Sequence, residues 1–189
     1  MKVSVLIANY NNEKYLTESI NSVRKQNYQN IEIIVHDDAS SDNSIKKINK
    51  YKNIIIIKNK KRSNYGSYNQ MNAYFRAFKK SNGEVIFFLD SDDLFKKNKI
   101  KTIINEFLKN RNISSVFDLP IYKYKNKLKI IKKKKKIISN IWPYIPPQSC
   151  IAIKRKDFKK ILHKINFNLF PDIWMDFRIG LYLNCLLYT

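Results

Sequence analysis

Gly83-Glu84-Val85-Ile86-Phe87-Phe88-Leu89-Asp90-Ser91-Asp92-Asp93 is the stretch that decides the fold. Val85 to Leu89 is an unbroken apolar run of the length of a buried strand, and it stops at three carboxylates within four positions. Carboxylates that close repel one another, so a fold that holds them at a strand end usually supplies a compensating cation. Ligands of open α/β sheets bind at the carboxyl ends of strands. An Asp-x-Asp there suits a divalent metal carrying a phosphorylated ligand.

Upstream, strand and helix patterns alternate. Val3 to Ala8 reads as a strand and Asn9 to Asn12 as a polar turn, and Tyr15, Leu16, Ile20 and Val23 recur at helical spacing between Glu13 and Lys25. Ile31 to Val35 is a second strand ending in His36-Asp37-Asp38, followed by a turn with Asp42 or Ser41 as N-cap and a short basic helix from Ile45 to Tyr51. Ile54 to Ile57 is a third strand, Ser67 to Lys80 a helix stopped near Asn82-Gly83, and Lys99 to Asn110 the helix after the acidic strand. This alternation predicts an α/β fold with a doubly wound, mostly parallel sheet.

The pattern changes near residue 117. Val116–Tyr124 and Leu128–Ile131 read as a hairpin or edge strands, Lys132 to Lys136 as a solvated loop, and Trp142 to Pro147 as a proline-fixed turn. Cys150–Ile153 is a further strand and Asp157–Lys164 a short helix. We therefore expect one structural domain with a regular half, 1–117, and a smaller, irregular half, 118–189. The apolar ending, Leu181 to Thr189, has the character of an element cut short.

The chain has 189 residues, 44% of them hydrophobic and 13% aromatic, which fits a globular core and not a disordered chain. Its two cysteines provide neither a disulfide framework nor metal-ligand spacing, so a reducing, cytoplasmic setting is expected. The N-terminus runs directly into a strand without a separate apolar signal region. No apolar run reaches the ~18 residues needed to span a bilayer. Thirty-seven Lys+Arg against 15 Asp+Glu give a net charge of +22. Abundant Lys, Asn, Ile and Tyr with three Gly point to A/T-rich codons as one source of that charge. The surface it leaves still attracts diphosphates and acidic lipid head groups, so peripheral contact with an anionic membrane is expected. Nucleic acid is not, because the aromatics fall at core-like positions instead of alternating with basic residues. A nicotinamide fold is disfavoured too, since no Gly-x-Gly-x-x-Gly follows the first strand.

Val3-Ser4-Val5-Leu6-Ile7-Ala8-Asn9-Tyr10-Asn11, Ile33 to Asp42, Asn64-Tyr65-Gly66, Asn72 and Gly83 to Asp93 occur in an order that resembles a family 2 glycosyltransferase. Such enzymes have the GT-A fold, use nucleotide-sugar donors and invert the anomeric centre. The resemblance runs from about residue 3 to 110 and more loosely beyond. It implies that Ala8, Asn9 and Tyr10 hold the nucleobase and ribose, that Asp38 accepts from the imide of uracil or thymine, and that Asn64, Gly66 and Asn72 belong to the nucleotide site. It further implies that Asp90 lies near ribose and metal, that Asp92 binds a Mg²⁺ or Mn²⁺ bridging the diphosphate, and that Asp93 supports or caps the Leu94–Lys97 turn. Gln148 and Ser149 match the stretch that lines the acceptor site. Two departures stand out. Tyr65 replaces a usual glycine, and Met71 replaces an Arg, whose charge Lys60, Lys61 or Arg62 could replace.

Inverting transfer also needs a base for the acceptor hydroxyl. Pro171 to Ile179 resembles the family's acidic motif, with Asp172 and Arg178 at its spacing and Pro171 in place of the customary Glu. Asp172 is the expected base, with Asp176 as alternative one turn along the same helix face. His36 and His163 lack ligand spacing and read as ordinary residues. The expected activity is transfer of a sugar from a UDP-sugar to a glycan or lipid-linked acceptor in surface polysaccharide or lipooligosaccharide synthesis. The competing expectations are an inactive or partial transferase and a basic module that binds nucleic acid or anionic membrane.

Overall fold

The structure, a computed structural model, describes residues 1–124, 127–130, 146–164 and 171–185. The lysine run Lys132–Lys136 and the turn from Trp142 to Ile145 lie outside them. Chain order is β1 (Val3–Asn9), α1 (Leu16–Arg24), β2 (Ile31–Asp37), α2 (Ser44–Ile48), β3 (Ile54–Lys58), α3 (Gly66–Lys80), β4 (Val85–Asp90), α4 (Lys99–Lys109), β5 (Ser115–Phe117), β6 (Ile121–Tyr124), β7 (Lys127–Ile130), β8 (Ile151–Lys154), α5 (Arg155–Lys164) and α6 (Met175–Cys185). The expected α/β architecture is present as a six-stranded sheet in the order β3-β2-β1-β4-β8-β5. Strands β1 to β4 run parallel, while β8 is antiparallel to both β4 and β5.

Period-two alternation divides the core between the two faces of the sheet. Val5, Ile7, Val35, Phe87 and Leu89 pack with Ile20, Ile48, Ile100 and Phe107 on one face. Leu6, Ile34, Ile86 and Phe88 pack with Met71, Tyr74, Phe158 and Met175 on the other. Each large apolar side chain so buried contributes roughly 1.5–3 kcal/mol. That surplus lets the strand ends carry electrostatically unfavourable acidic groups.

Register sets those ends level. Asn9 pairs with Asp37 and Ala8 with Asp90, so the tips of β1, β2 and β4 line up at one edge. The start of β4 is pinned at Gly83, whose N–H donates to Ser4 Oγ at 2.7 Å and to Glu32 Oε1 at 3.0 Å. A Cβ there would lie 2.4 Å from Ser4 N, so only glycine lets the strands approach this closely.

Besides α2, which ends at Ile48 instead of Tyr51, and α5, which begins at Arg155 instead of Asp157, three elements differ from the sequence reading. The first helix begins at Leu16 instead of Glu13. Asn12 and Glu13 are drawn out of the helix, because Asn12 Nδ2 donates to Ser91 Oγ at 2.6 Å and the Glu13 N–H to Asp42 Oδ2 at 2.8 Å. The stretch from Val116 to Tyr124 is divided: β5 joins the main sheet, and β6 pairs only with β7. Asp118 turns away to meet Lys99 Nζ at 2.6 Å, and Pro120 has no N–H for a ladder. The last strand begins one residue later than expected, after a 3-10 turn at Gln148–Cys150. Among the described residues no helix is long and apolar enough to cross a membrane.

Candidate active site

A cleft of about 400 Å³ opens at the carboxyl ends of β1, β2 and β4, with the first turns of α3 and α6 and the Pro147-Gln148 wall closing its sides. Of the nucleotide and metal residues expected from sequence, Ala8, Asn9, Tyr10, Asp38, Gly66, Asp90 and Asp92 all line it.

The β2 tip separates the roles of its two carboxylates. Asp37 accepts from Asn9 Nδ2 at 2.7 Å, Ser40 Oγ at 2.6 Å and the Ser40 N–H at 3.1 Å, so it organises the turn. The next residue but one, Ala39, is in the left-handed region at φ 57°, a conformation that an alanine adopts only when its surroundings impose it. The turn so held points Asp38 at the cleft. There Asp38 accepts from Asn59 Nδ2 at 3.0 Å and faces Arg62 Nε at 3.1 Å. The Arg62 guanidinium also lies over Tyr10, 3.3 Å from the ring centroid.

Asp90 is held from three sides. Its Oδ1 accepts from Tyr74 Oη at 2.7 Å and Gln70 Nε2 at 2.8 Å, and its N–H donates to Ser149 Oγ at 3.0 Å. Burial, with the charges of Asp93 and Asp92, lifts its carboxyl to about 7 against the opposing pull of the Tyr74 and Gln70 donors. Ser149, expected as an acceptor contact, is buried behind the tip and faces a neighbouring hollow instead. Gln148 does line the cleft; it is buried, and its Nε2 has no hydrogen-bond partner.

Asn64, Asn72 and Asp172 are not among the cleft-lining residues. Asn64 is exposed, and Asn72 Oδ1 accepts from Arg76 Nε at 3.3 Å on the outer side of α3. Asp172 is exposed in the turn before α6, which begins only at Met175, so it does not share a helix face with Asp176 as the spacing suggested. Asp176 lines the cleft; burial raises its carboxyl above the usual range although the Phe177 N–H, 2.8 Å away, lowers it. Sequence reasoning missed Asn12, Asn69, Gln70, Tyr74 and Trp174. The i,i+4 spacing of Gln70 and Tyr74, which puts both on one face of α3, was the available signal.

His36 is fully buried with both ring nitrogens unpartnered, and burial, aided by the Arg76 charge, lowers its pKa. Among the described residues no cluster of three His, Cys, Asp or Glu side chains is placed to hold a metal alone. The pair Asp90 and Asp92 offers hard oxygen donors on one wall, a set that fits Mg²⁺ or Mn²⁺ when substrate phosphates complete the coordination.

Residues 4–170 match the protein family described as glycosyl transferase family 2. The chain belongs to that family. It is 32% identical over 199 residues to an uncharacterized glycosyltransferase of Nostoc sp., covering 98% of this chain and 59% of that protein. It is 36% identical over 104 residues to the poly(ribitol-phosphate) beta-N-acetylglucosaminyltransferase TarS of Staphylococcus aureus, covering 53% of this chain and 18% of that one. The similarity to UDP-Glc:alpha-D-GlcNAc-diphosphoundecaprenol beta-1,3-glucosyltransferase WfgD of Escherichia coli is 39% over 115 residues, covering 61% and 44%. The chain thus spans about 59% of the Nostoc relative's length and less of the other two. Among solved structures, S. aureus TarS 1–349 superposes with a TM-score of 0.66 at 25% identity, over 85% of this chain and 49% of that one. A mannosyltransferase of Pyrobaculum calidifontis, PcManGT, in complex with GDP-Man and Mn²⁺, gives 0.62 at 17%, over 85% and 46%. The fold is GT-A, as the sequence resemblance implied.

Proposed function

We propose that this chain carries the donor site and catalytic groups of a metal-dependent, inverting glycosyltransferase that moves a sugar from a UDP-sugar to a hydroxyl of a glycan or lipid-linked acceptor. The observation that carries this reading is charge. In a protein of net charge +22, the described residues lining the cleft include four carboxylates, Asp38, Asp90, Asp92 and Asp176, against one cationic side chain, Arg62. A diphosphate entering such a cleft needs a further cation, and Asp90 with Asp92 are the residues that would hold it. Two comparisons support a nucleotide-sugar donor: TarS has been solved in complex with UDP-GlcNAc, and PcManGT with GDP-Man and Mn²⁺. The name of WfgD, with its diphosphoundecaprenol acceptor, supports a lipid-linked acceptor.

The positions of the side chains support the following roles in that reaction. Tyr10 offers a face to the base and Asp38 an acceptor to its imide. The N-terminus of α3, beginning at Gly66, presents its positive dipole end toward the diphosphate. A bound divalent ion supplies charge neutralisation for the leaving diphosphate. The acceptor oxygen forms the new bond to the anomeric carbon as the bond to the diphosphate breaks, which inverts that centre. The hydroxyl proton passes to a carboxylate on the open side, for which Asp176, lining the cleft, is better placed than Asp172. The test is transfer or donor hydrolysis with Mn²⁺ across a donor panel, with the product anomer assigned by NMR. Asp92→Asn should abolish turnover, and full activity of that variant without metal would overturn the proposal.

A further inference from the structure

We infer that Arg62 is a built-in stand-in for the donor's nucleobase, filling the base subsite of the ligand-free protein until a pyrimidine displaces it. The inference rests on the functional reading above, which assigns Tyr10 and Asp38 to the base, and adds to it what occupies them beforehand.

A uracil or thymine ring would use two features of this site: a flat aromatic face to stack on and a carboxylate to receive its imide N–H. Arg62 takes both at once. Its guanidinium carbon is 3.3 Å from the Tyr10 ring centroid, ordinary stacking separation with no room for a second planar group between them. Its Nε is 3.1 Å from Asp38 Oδ2. The contact pairs charges without a hydrogen bond, since Asp38 Oδ2 has no hydrogen-bond partner among the described residues; the guanidinium matches an imide-bearing ring in its flat face and in its place beside the carboxylate. The pairing also explains how Asp38, only 4% exposed, tolerates burial before a ligand arrives.

The chain around Arg62 is built so that the side chain alone needs to move. Asn59 anchors one end of the loop, with its N–H on the Asp37 carbonyl at 2.8 Å and its Nδ2 on Asp38 at 3.0 Å. Ser63 anchors the other, its N–H and hydroxyl both donating to Asn69 Oδ1, at 3.0 and 2.8 Å. Arg62 reaches into the cleft from between these posts. Swung off Tyr10, its charge remains at the mouth of the cleft, where it can meet the donor's phosphates.

The two consequences separate uridine from UDP. Uridine gains from removal of the competing side chain and loses nothing, because it carries no phosphate. UDP gains the same vacancy but loses a countercharge. Titration calorimetry of uridine and of UDP with Mn²⁺ on wild type, Arg62→Ala and Arg62→Lys tests this, with thermal melts to check folding. In Arg62→Ala, uridine should bind roughly five- to twentyfold tighter, the scale of one cation–π contact with a part-exposed ion pair, and UDP should gain clearly less. Arg62→Lys should give the uridine gain while keeping UDP affinity, since Lys retains the charge without the planar fork. Uridine affinity unchanged or weakened in both variants, with wild type binding UDP normally, overturns the inference and leaves the functional reading in place. Failure of every variant and of wild type to bind either ligand overturns both.

Discussion

Tyr74 Oη and Asp90 Oδ1 are 2.7 Å apart, joining the buried face of α3 to the acidic tip of β4. Tyr74 is fully buried, and its ring meets Phe88 edge-on at 5.1 Å, so the hydroxyl has little freedom to point elsewhere. Burial and the adjacent Asp90 charge hold the phenol well above its ordinary pKa, which keeps it a donor. The bond favours the ionised form of Asp90 against the burial that opposes it. Tyr74→Phe should cost about 1–3 kcal/mol of stability, the worth of a hydrogen bond to a charged group. Mn²⁺-dependent UDP binding at pH 7 should weaken and recover toward pH 8.5, because the Asp90 carboxyl would titrate higher. Melting curves and calorimetry at the two pH values check both parts.

The pH dependence follows with its sign. Asp90 titrates near 7 when folded against about 4 when unfolded, so between those values the native state holds a proton the unfolded chain has released. Its contribution to stability therefore falls as pH rises from about 4 to about 7. His36 acts oppositely: its lowered pKa removes stability as pH falls below its unfolded value of about 6.5. The difference in melting temperature between wild type and Asp90→Asn isolates the Asp90 term and should shift in favour of Asn as pH rises across that window. A divalent cation reverses the preference, so the stabilisation by Mn²⁺ in wild type should be larger at pH 8 than at pH 6.

At the other end of β4, Gly83→Ala should destabilise the fold by about 2–4 kcal/mol, because the added methyl would lie 2.4 Å from backbone and side-chain atoms of Ser4. The denaturation midpoint reads this directly. Ser4→Ala should not relieve it, since the clash is also with the Ser4 backbone nitrogen.

What the sequence made legible was the local pattern. The β-branched and aromatic runs, the helical spacing and the acidic strand ends predicted β1 to β4 with their helices, and parallel register then places Asn9 beside Asp37 and Ala8 beside Asp90. Contacts that join elements were not legible. Tyr74 sits among core aromatics at ordinary helical spacing, and nothing local marks its hydroxyl as the partner of Asp90. Arg62 is one basic residue in a basic loop, and its stacking on Tyr10 depends on how β1 and β3 are set across the sheet. The antiparallel insertion of β8 between β4 and β5 is invisible for the same reason: strand order is a property of the assembled sheet.

The two carboxylates near α6 show how a one-turn difference in placement becomes a chemical distinction. Asp172 precedes the helix and is exposed, whereas Asp176 lies in its first turn, facing the cleft, with a carboxyl raised by burial. A base must be ionised before it accepts a proton, so a raised pKa makes it a stronger acceptor but silences it at lower pH. With Asp176 as base, Asp176→Asn should lower kcat by about 10²- to 10⁴-fold while UDP affinity stays within about twofold. Asp172→Asn should change kcat by less than about threefold, the scale of a surface substitution. The wild-type rate should rise with pH through the raised Asp176 value, and that limb should vanish in the residual activity of Asp176→Asn. The reverse pattern, with kcat collapsing only in Asp172→Asn, would assign the base to Asp172 and require the turn before α6 to swing over the cleft during catalysis.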